Sequence, residues 1–437
     1  MFKSLKGLFS PSNKDLRKRI YFTLLVLAVF SLGSNIIVPG AKEITQNLGF
    51  LDLLNLMSGG TLNTFSIFAL GVMPYITASI LTQLLQMDII PYFKELKDQG
   101  ATGRQKINRI NRYLGILFAF IQGYIYSVAF IGGSTIVVLK TTIILTAGTA
   151  LLLWLADQIS TKGLGNGVSL FIMAGIVNAL PDTFITAFKD LVVAGTYKPI
   201  FGITLSATMV KVLGITLFAL FIIAYLAILI GVVYMQISER RIPIQHSTRT
   251  DSSYHKEQSY IPLKINSASV MPVIFASAIT SIPSLIAQFV DNDAFENFVN
   301  NYIVYTSPTG YVLYVVLIFA FGYVYTLMEL NPKEMSENLD KNRSYIPGIT
   351  PGEKTASYLK GTITRLTVVG SIFLIVLASI PLIFTNIEGL SAAVTLGGTG
   401  LLIVVGVALE TYKQLESSIV SRNYQGSRKR RHRRWII

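Results

Sequence analysis

The chain has 437 residues, 51% of them hydrophobic and only 14% charged, with a net charge of +14 and no cysteine. Soluble globular proteins are about a quarter charged, so this composition excludes them and points to a membrane protein. Disulfides and thiolate metal sites are excluded as well, and His246, His255 and His432 all fall in polar segments, which leaves metal chemistry little to work with.

Ten apolar spans are expected, near 20–38, 66–87, 113–130, 141–157, 168–180, 212–236, 268–289, 311–328, 362–385 and 394–412. With both termini on one side, all but five of the 37 Lys and Arg fall on that side, counting Arg365 just inside the span 362–385; the exceptions are Lys42, Lys140, Lys189, Lys198 and Lys211. That asymmetry is the positive-inside signal and places both ends, 1–19 and the basic tail 413–437, in the cytoplasm. At the start, Lys14, Arg17, Lys18 and Arg19 precede the apolar run Ile20–Val38. The run is too long for a signal-peptide core and no small-residue cleavage site follows it, so an uncleaved first span is expected.

Gly49–Gln86 is apolar yet does not read as one span. Phe50–Met57 is short and amphipathic, Ser58, Gly59 and Gly60 break it, and a second break falls at Gly71 and Pro74 ahead of a continuous helix over Tyr75–Leu85. Lipid cannot satisfy free backbone groups, so this irregular stretch is expected to be enclosed by protein. Met87–Arg112 reads as a cytoplasmic loop whose Lys94, Lys97, Arg104, Lys106, Arg109 and Arg112 set topology. Thr161–Gly167, TKGLGNG, is a tight turn between the fourth and fifth spans. Its glycines permit positive φ and close helix approach, and it lacks the G-x-x-x-x-G-K-S/T spacing and the preceding strand of a phosphate loop.

The fifth span is predicted to be short and to stop at Pro181. Interrupted second and fifth spans mark a pathway between helix bundles. Ten spans split into five over 20–180 and five over 212–412, joined by an external linker at 181–211. An odd number per half inverts the second relative to the first. The predicted fold class is therefore an all-α integral membrane protein with ten transmembrane helices in two inverted five-helix halves. Two loops, 237–267 with Arg240, Arg241, Arg249, Lys256 and Lys264, and 331–361 with Lys333, Lys341, Arg343, Lys354 and Lys360, are longer than joining helices requires. They read as docking sites for a polyanion such as ribosomal RNA or for an acidic protein, or more plainly as a solvated face. The run Arg428–Arg434 leaves open a membrane-anchored nucleic-acid binder as a rival reading.

No catalytic constellation is visible, and the chain is not expected to be an enzyme or to need a cofactor. Asp157, Glu329 and Glu410 fall at span ends, and no charge lies mid-span. An ion-coupled solute transporter, the rival from another class, keeps ionisable groups near the midplane. A passive conduit needs instead an apolar constriction that excludes water and ions. Ile76 and Ile80 share one helix face, and Ile172 and Ile176 repeat the spacing; on composition alone, any one Ile in a span reads as lipid-facing or core before it reads as lining a pore.

The segments GGTLNTFSIFALGVMPYITASI followed by LLQMDIIP, then ADQISTKGLGNGVSL, ERRIPIQ, YIPLKINSASVMPVIFAS and GGTGLLIVV, resemble the SecY family of protein-conducting channel subunits in order and spacing, over nearly the whole chain. The resemblance implies a pore ring of Ile76, Ile80, Ile172, Ile176, Ile274 and Ile403. It implies a plug helix over Asn55, Leu56, Met57, Ser58, Gly59, Gly60, Thr61, Leu62, Asn63, Thr64 and Phe65. Gln83, Gln122, Asn266 and Ser277 would line a lateral seam that releases hydrophobic segments into membrane lipid, although such groups also simply bond neighbouring helices. SecE and SecG subunits, the SecA ATPase motor, the ribosome and signal-sequence-bearing preproteins are the implied partners. Arg240, Arg241, Arg249, Arg343, Thr350 and Lys354 are the implied motor or ribosome contacts. One departure stands out: the family pattern PGIRPG carries Arg where this chain has IPGITPG, with Thr350.

Overall fold

In lipid every backbone N–H must be bonded within its own segment, so the long apolar runs have little choice but helix. The computed structural model describes residues 14–40, 61–62, 64–86, 90–131, 134–194, 207–246, 259–287, 292–304, 307–385 and 398–434. Helix α1 covers Lys14–Gly33, α2 Met73–Leu85, α3 Pro91–Asp98, α4 Ala101–Phe130, α5 Thr135–Lys162 and α6 Gly167–Phe188. A π-helical segment, Lys189–Ala194, follows α6, and α7 covers Ala207–Ile237. Next come strands β1 (Glu239–Pro243), β2 (Gln245–His246) and β3 (Tyr260–Lys264), then α8 (Met271–Ala287), α9 (Asp293–Tyr302) and α10 (Pro308–Glu329). The chain continues with α11 (Pro332–Lys341), β4 (Ser344–Tyr345), α12 (Glu353–Thr385) and α13 (Gly398–Arg434).

Among the described residues, six stretches are long and apolar enough to cross a membrane: Thr102–Phe130, Thr135–Lys162, Gly167–Val193, Lys211–Ile237, Pro308–Lys341 and Glu353–Ile380. Helices α1, α2, α8 and α13 overlap the other four expected spans but are shorter or more charged.

Three expectations need correction. The chain is predominantly helical rather than all-α: β1 pairs antiparallel with β3, Glu239 opposite Lys264, and β2 pairs with β4. Outside lipid an open sheet edge is solvated at little cost, and Pro243 and Pro262 sit where edge strands tolerate a missing donor. Second, the fifth span does not stop at Pro181; α6 runs through it to Phe188. An internal proline loses one N–H bond and crowds the carbonyl four residues back, but ending the helix in an apolar setting would free several backbone groups at once. Third, the loop 87–112 contains α3, and α4 already starts at Ala101, because apolarity marks only the lipid-facing part of a helix that continues beyond it.

The chain divides into two compact units, Met1–Thr183 with Gly406–Ile437, and Phe184–Val405. In the first, α4 packs on both α2 and α5, and α5 also meets α1. A buried stripe on α4, Asn111, Gly115, Ala119, Gly123 and Ser127, recurs every fourth residue. These small side chains let helices approach closely; a Cβ at Gly115 would lie 3.1 Å from Tyr75 Cα on α2. Ahead of α2 the backbone over 61–62 and 64–72 is irregular and enclosed, while 49–60 and 63 of the expected stretch lie outside the described residues. Val38 N–H donates to Phe65 O (3.0 Å) and Ile67 N–H to Ile36 O (2.9 Å), Thr61 Oγ1 donates to Phe68 O (3.0 Å), and Phe65 and Ser66 are fully buried. Phe65 holds a left-handed φ of 45°, unusual for a residue other than glycine. The Phe30 ring packs on both Phe68 and Phe171.

In the second unit, α10 packs against α8 and α12. Ser277 Oγ and Tyr314 OH, 3.1 Å apart, bond α8 to α10, and the Tyr311 and Ser379 hydroxyls bond α10 to α12. Helix α7 lies on the π segment, where Phe184, Phe188, Phe218, Phe221 and Tyr225 form an aromatic cluster. The polar end of this unit has its own apolar core: Ile242 and Leu263 from the β1–β3 hairpin, Leu339 from α11, Ile346 beyond β4, and Leu359 and Ile363 from α12.

Candidate functional site

The residues implied for a pore ring start from two helix origins in the first unit. Pro74 occupies the first turn of α2, where its missing N–H costs nothing, and Ile76 and Ile80 follow one turn apart. The origin of α6 is set by TKGLGNG. Gly165 has φ +91°, and a Cβ at Gly167 would lie 2.0 Å from the Ala156 carbonyl oxygen. Leu164 N–H donates to Thr23 Oγ1 (3.0 Å), and Gly167 N–H to Ser160 Oγ (2.9 Å). This turn determines where Ile172 and Ile176 stand. Ile274 lies on α8 and Ile403 on α13, both in the second unit. All six are at most 8% exposed, which rules out the lipid-facing reading for each.

Of the plug residues, 55–60 and 63 lie outside the described residues. Thr61, Leu62 and Phe65 are buried, with Thr64 Oγ1 donating to Thr61 O (3.3 Å). Gln83 donates through Nε2 to Ser79 Oγ (3.2 Å), while its Oε1 is buried without a hydrogen-bond partner. Gln122 is half-buried on α4. Asn266 lies buried in the turn between β3 and α8. Ser277 donates to Val273 O (2.8 Å) and meets Tyr314, so its bonds lie within its own unit.

Arg240, Arg241, Arg343, Thr350 and Lys354, implied as docking residues, sit on the platform at the polar end of the second unit, which the apolar core supports. Arg240 is exposed. The Arg241 guanidinium donates to Glu239 Oε1 (2.8 Å) and lies 4.7 Å over the Tyr260 ring, a charge-assisted bond and a cation–π contact that fasten it to the hairpin. The Glu239 hydrogen bond raises its already high pKa further. Arg343, exposed, has φ 52°. Thr350 is exposed on a turn whose shape is set by Gly348 and Gly352 at φ +81° and +92°, and Lys354 is exposed at the start of α12. Thr355 Oγ1 donates to Thr350 O (3.0 Å), and Ser336 Oγ to Gly352 O (2.8 Å). Arg249 lies outside the described residues.

Periodicity passes over one pairing. Arg112, read only as a topology charge, and Asp157, read only as a span end, form an ion pair joining α4 to α5. Opposite charges at the matching ends of two consecutive antiparallel helices are the sequence signal for it. Among the described residues, no group of three or more His, Cys, Asp or Glu could hold a metal ion.

The SecY family model matches residues 66–412. The chain belongs to the SecY family. It is 42% identical to the protein translocase subunit SecY of Bacillus licheniformis over 98% of this chain and 99% of the relative. Identity to that of Bacillus subtilis is also 42%, and to that of Staphylococcus aureus 40%, with the same coverage. Solved structures share the fold. One described as a protein-conducting channel superposes with a TM-score of 0.65 at 20% identity, covering 93% of both chains. The channel of a canine ribosome–channel complex from the endoplasmic reticulum gives a TM-score of 0.61 at 19% identity over 93% of both. The SecY-family helices, several of them apolar and long enough to span, make this a multi-pass membrane protein.

Proposed function

We propose that this SecY-family chain is the pore subunit of a Sec translocon in a bacterial cytoplasmic membrane, passing unfolded secretory polypeptides outward and releasing hydrophobic segments sideways into lipid. The observation that carries the reading is its 40–42% identity to SecY translocase subunits along practically their full length. In this reading the chain has ten spans in two inverted halves, both termini are cytoplasmic, and it performs no catalytic step itself. SecA or a translating ribosome docks on the platform and supplies the drive; a ribosome-bound channel among the structural neighbours supports the latter. SecE and SecG complete the complex. The six isoleucines form the constriction, residues 55–65 plug it, and Gln83, Gln122, Asn266 and Ser277 lie along the lateral seam. Neither the relatives nor the structural neighbours named above support an ion-coupled solute transporter.

The absence of cysteine supplies the test. A single Cys at Ile76 or Ile274 is expected to form a disulfide with a one-cysteine precursor stalled partway across membranes containing the complex. A Cys at Leu24, exposed on α1, is expected to form none. Ongoing translocation without a ring crosslink removes the ring assignment, and no translocation at all removes the functional reading.

The platform carries a second expectation. Thr350→Arg is expected to raise SecA-driven, ATP-dependent translocation about threefold, the gain of one exposed charge contact of ~0.7 kcal/mol. An unchanged rate would show that this position does not serve the motor here.

A further inference from the structure

Helix α4 is the surface on which α2 lies. Tyr75 is seated with its Cα and Cβ against Gly115, where an added Cβ would stand 3.1 and 3.3 Å away. One turn earlier on α4, Arg112 reaches across to Asp157 on α5, and both side chains are about half-exposed. The half-buried Tyr75 ring lies in the electrostatic field of both charges, with Asp157 the stronger influence. The three residues come from three helices and meet where α2 begins. The next residue along α2 is Ile76.

We propose that Arg112 and Asp157 are positioning residues for the closed channel: by clamping α4 to α5 they fix the notch that seats Tyr75, and through it the side chain of Ile76. The inference rests on the reading of Ile76 as a ring residue. A half-exposed pair adds little to overall stability. Its use lies in geometry: when α4 and α5 part at this level, Tyr75 loses its seat and α2 gains freedom to swing at Gly71 and Pro74. The pair thus biases the channel toward the sealed state without touching the polypeptide that passes.

The test uses the whole complex in membranes, with every readout normalised to the amount of protein present. Asp157→Asn and Arg112→Gln are each expected to raise both ion leak and export of precursors with defective signal sequences about fivefold, equivalent to ~1 kcal/mol. The charge swap Arg112→Asp with Asp157→Arg is expected to return both towards the parent level. Arg109→Gln, which removes an equal topology charge one turn away on an exposed face, is expected to change neither. Single variants that stay tight and selective overturn the proposal. So does a swap that leaks as much as either single variant, because each side chain would then act separately. Ile76→Asn is measured beside them. If it leaks while Asp157→Asn does not, the positioning role falls and the ring stands; if it is silent, the ring reading itself falls.

Discussion

Gly148→Leu is expected to destabilise the protein by at least about 3 kcal/mol and to strip most of it from the membrane. A Cβ at Gly148 would lie 2.0 Å from the Ile67 carbonyl oxygen and 3.1 Å from its carbon, backbone atoms that no rotamer change can move aside. Ile67 is itself pinned by its N–H bond to Ile36 O, between the buried Ser66 and Phe68. The larger side chain must therefore push α5 off the irregular segment or break that segment's bonds. Gly231→Ala on α7 provides the contrast, since nothing lies within 4 Å of its added Cβ. It is expected to be neutral or to stabilise by up to ~1 kcal/mol through helix propensity. Thermal unfolding of the purified complex and abundance in membranes check both. Equal melting temperatures for the two variants would refute the close packing of α5 on the segment before α2.

Replacing an isoleucine of the proposed ring with asparagine is expected to have the largest functional effect. If the proposed ring is formed by these side chains, a carboxamide at Ile76 or Ile274 hydrates the constriction and weakens its apolar barrier to ions. Amide transfer terms of ~1.4–2.8 kcal/mol correspond to roughly ten- to a hundredfold more leak. Precursors with poor signal sequences are expected to pass more readily. Ile76→Val keeps a branched apolar group and is expected to stay tight. Conductance of reconstituted complexes measures the first effect, and export of a signal-defective reporter the second. A tight Ile76→Asn channel would remove Ile76 from the seal.

Much of this was legible in the chain. The Gly71 and Pro74 break before α2 and the glycine turn ahead of α6 are local backbone chemistry, and local chemistry survives folding; Gly165 and Gly167 do what three glycines in five residues allow. The isoleucine pairs could be seen by spacing, but that they are buried could not, because lipid and protein core select the same side chains. Pro181 misled because its local cost, correctly signed, was outweighed by that of ending a helix among apolar surroundings. The β1–β3 hairpin is hidden by its setting: ERRIPIQ and YIPLK fall in basic loops by composition, yet Ile242 and Leu263 are the inward-facing residues of paired strands. Arg112 and Asp157 were each visible, but their pairing depends on the register of two long helices, which no short window contains.

The apolar core beneath the platform also decides how a push is transmitted. Because Ile242, Leu263, Leu339, Ile346, Leu359 and Ile363 pack together, and β2 is stitched to β4, the described parts of the loops 237–267 and 331–361 form one joined footing. Thrust on the hairpin is shared with the base of α12, a single helix of 33 residues, about 50 Å of continuous rod. The cohesion of this footing comes from aliphatic packing and persists in strong salt, which screens the exposed charges around it.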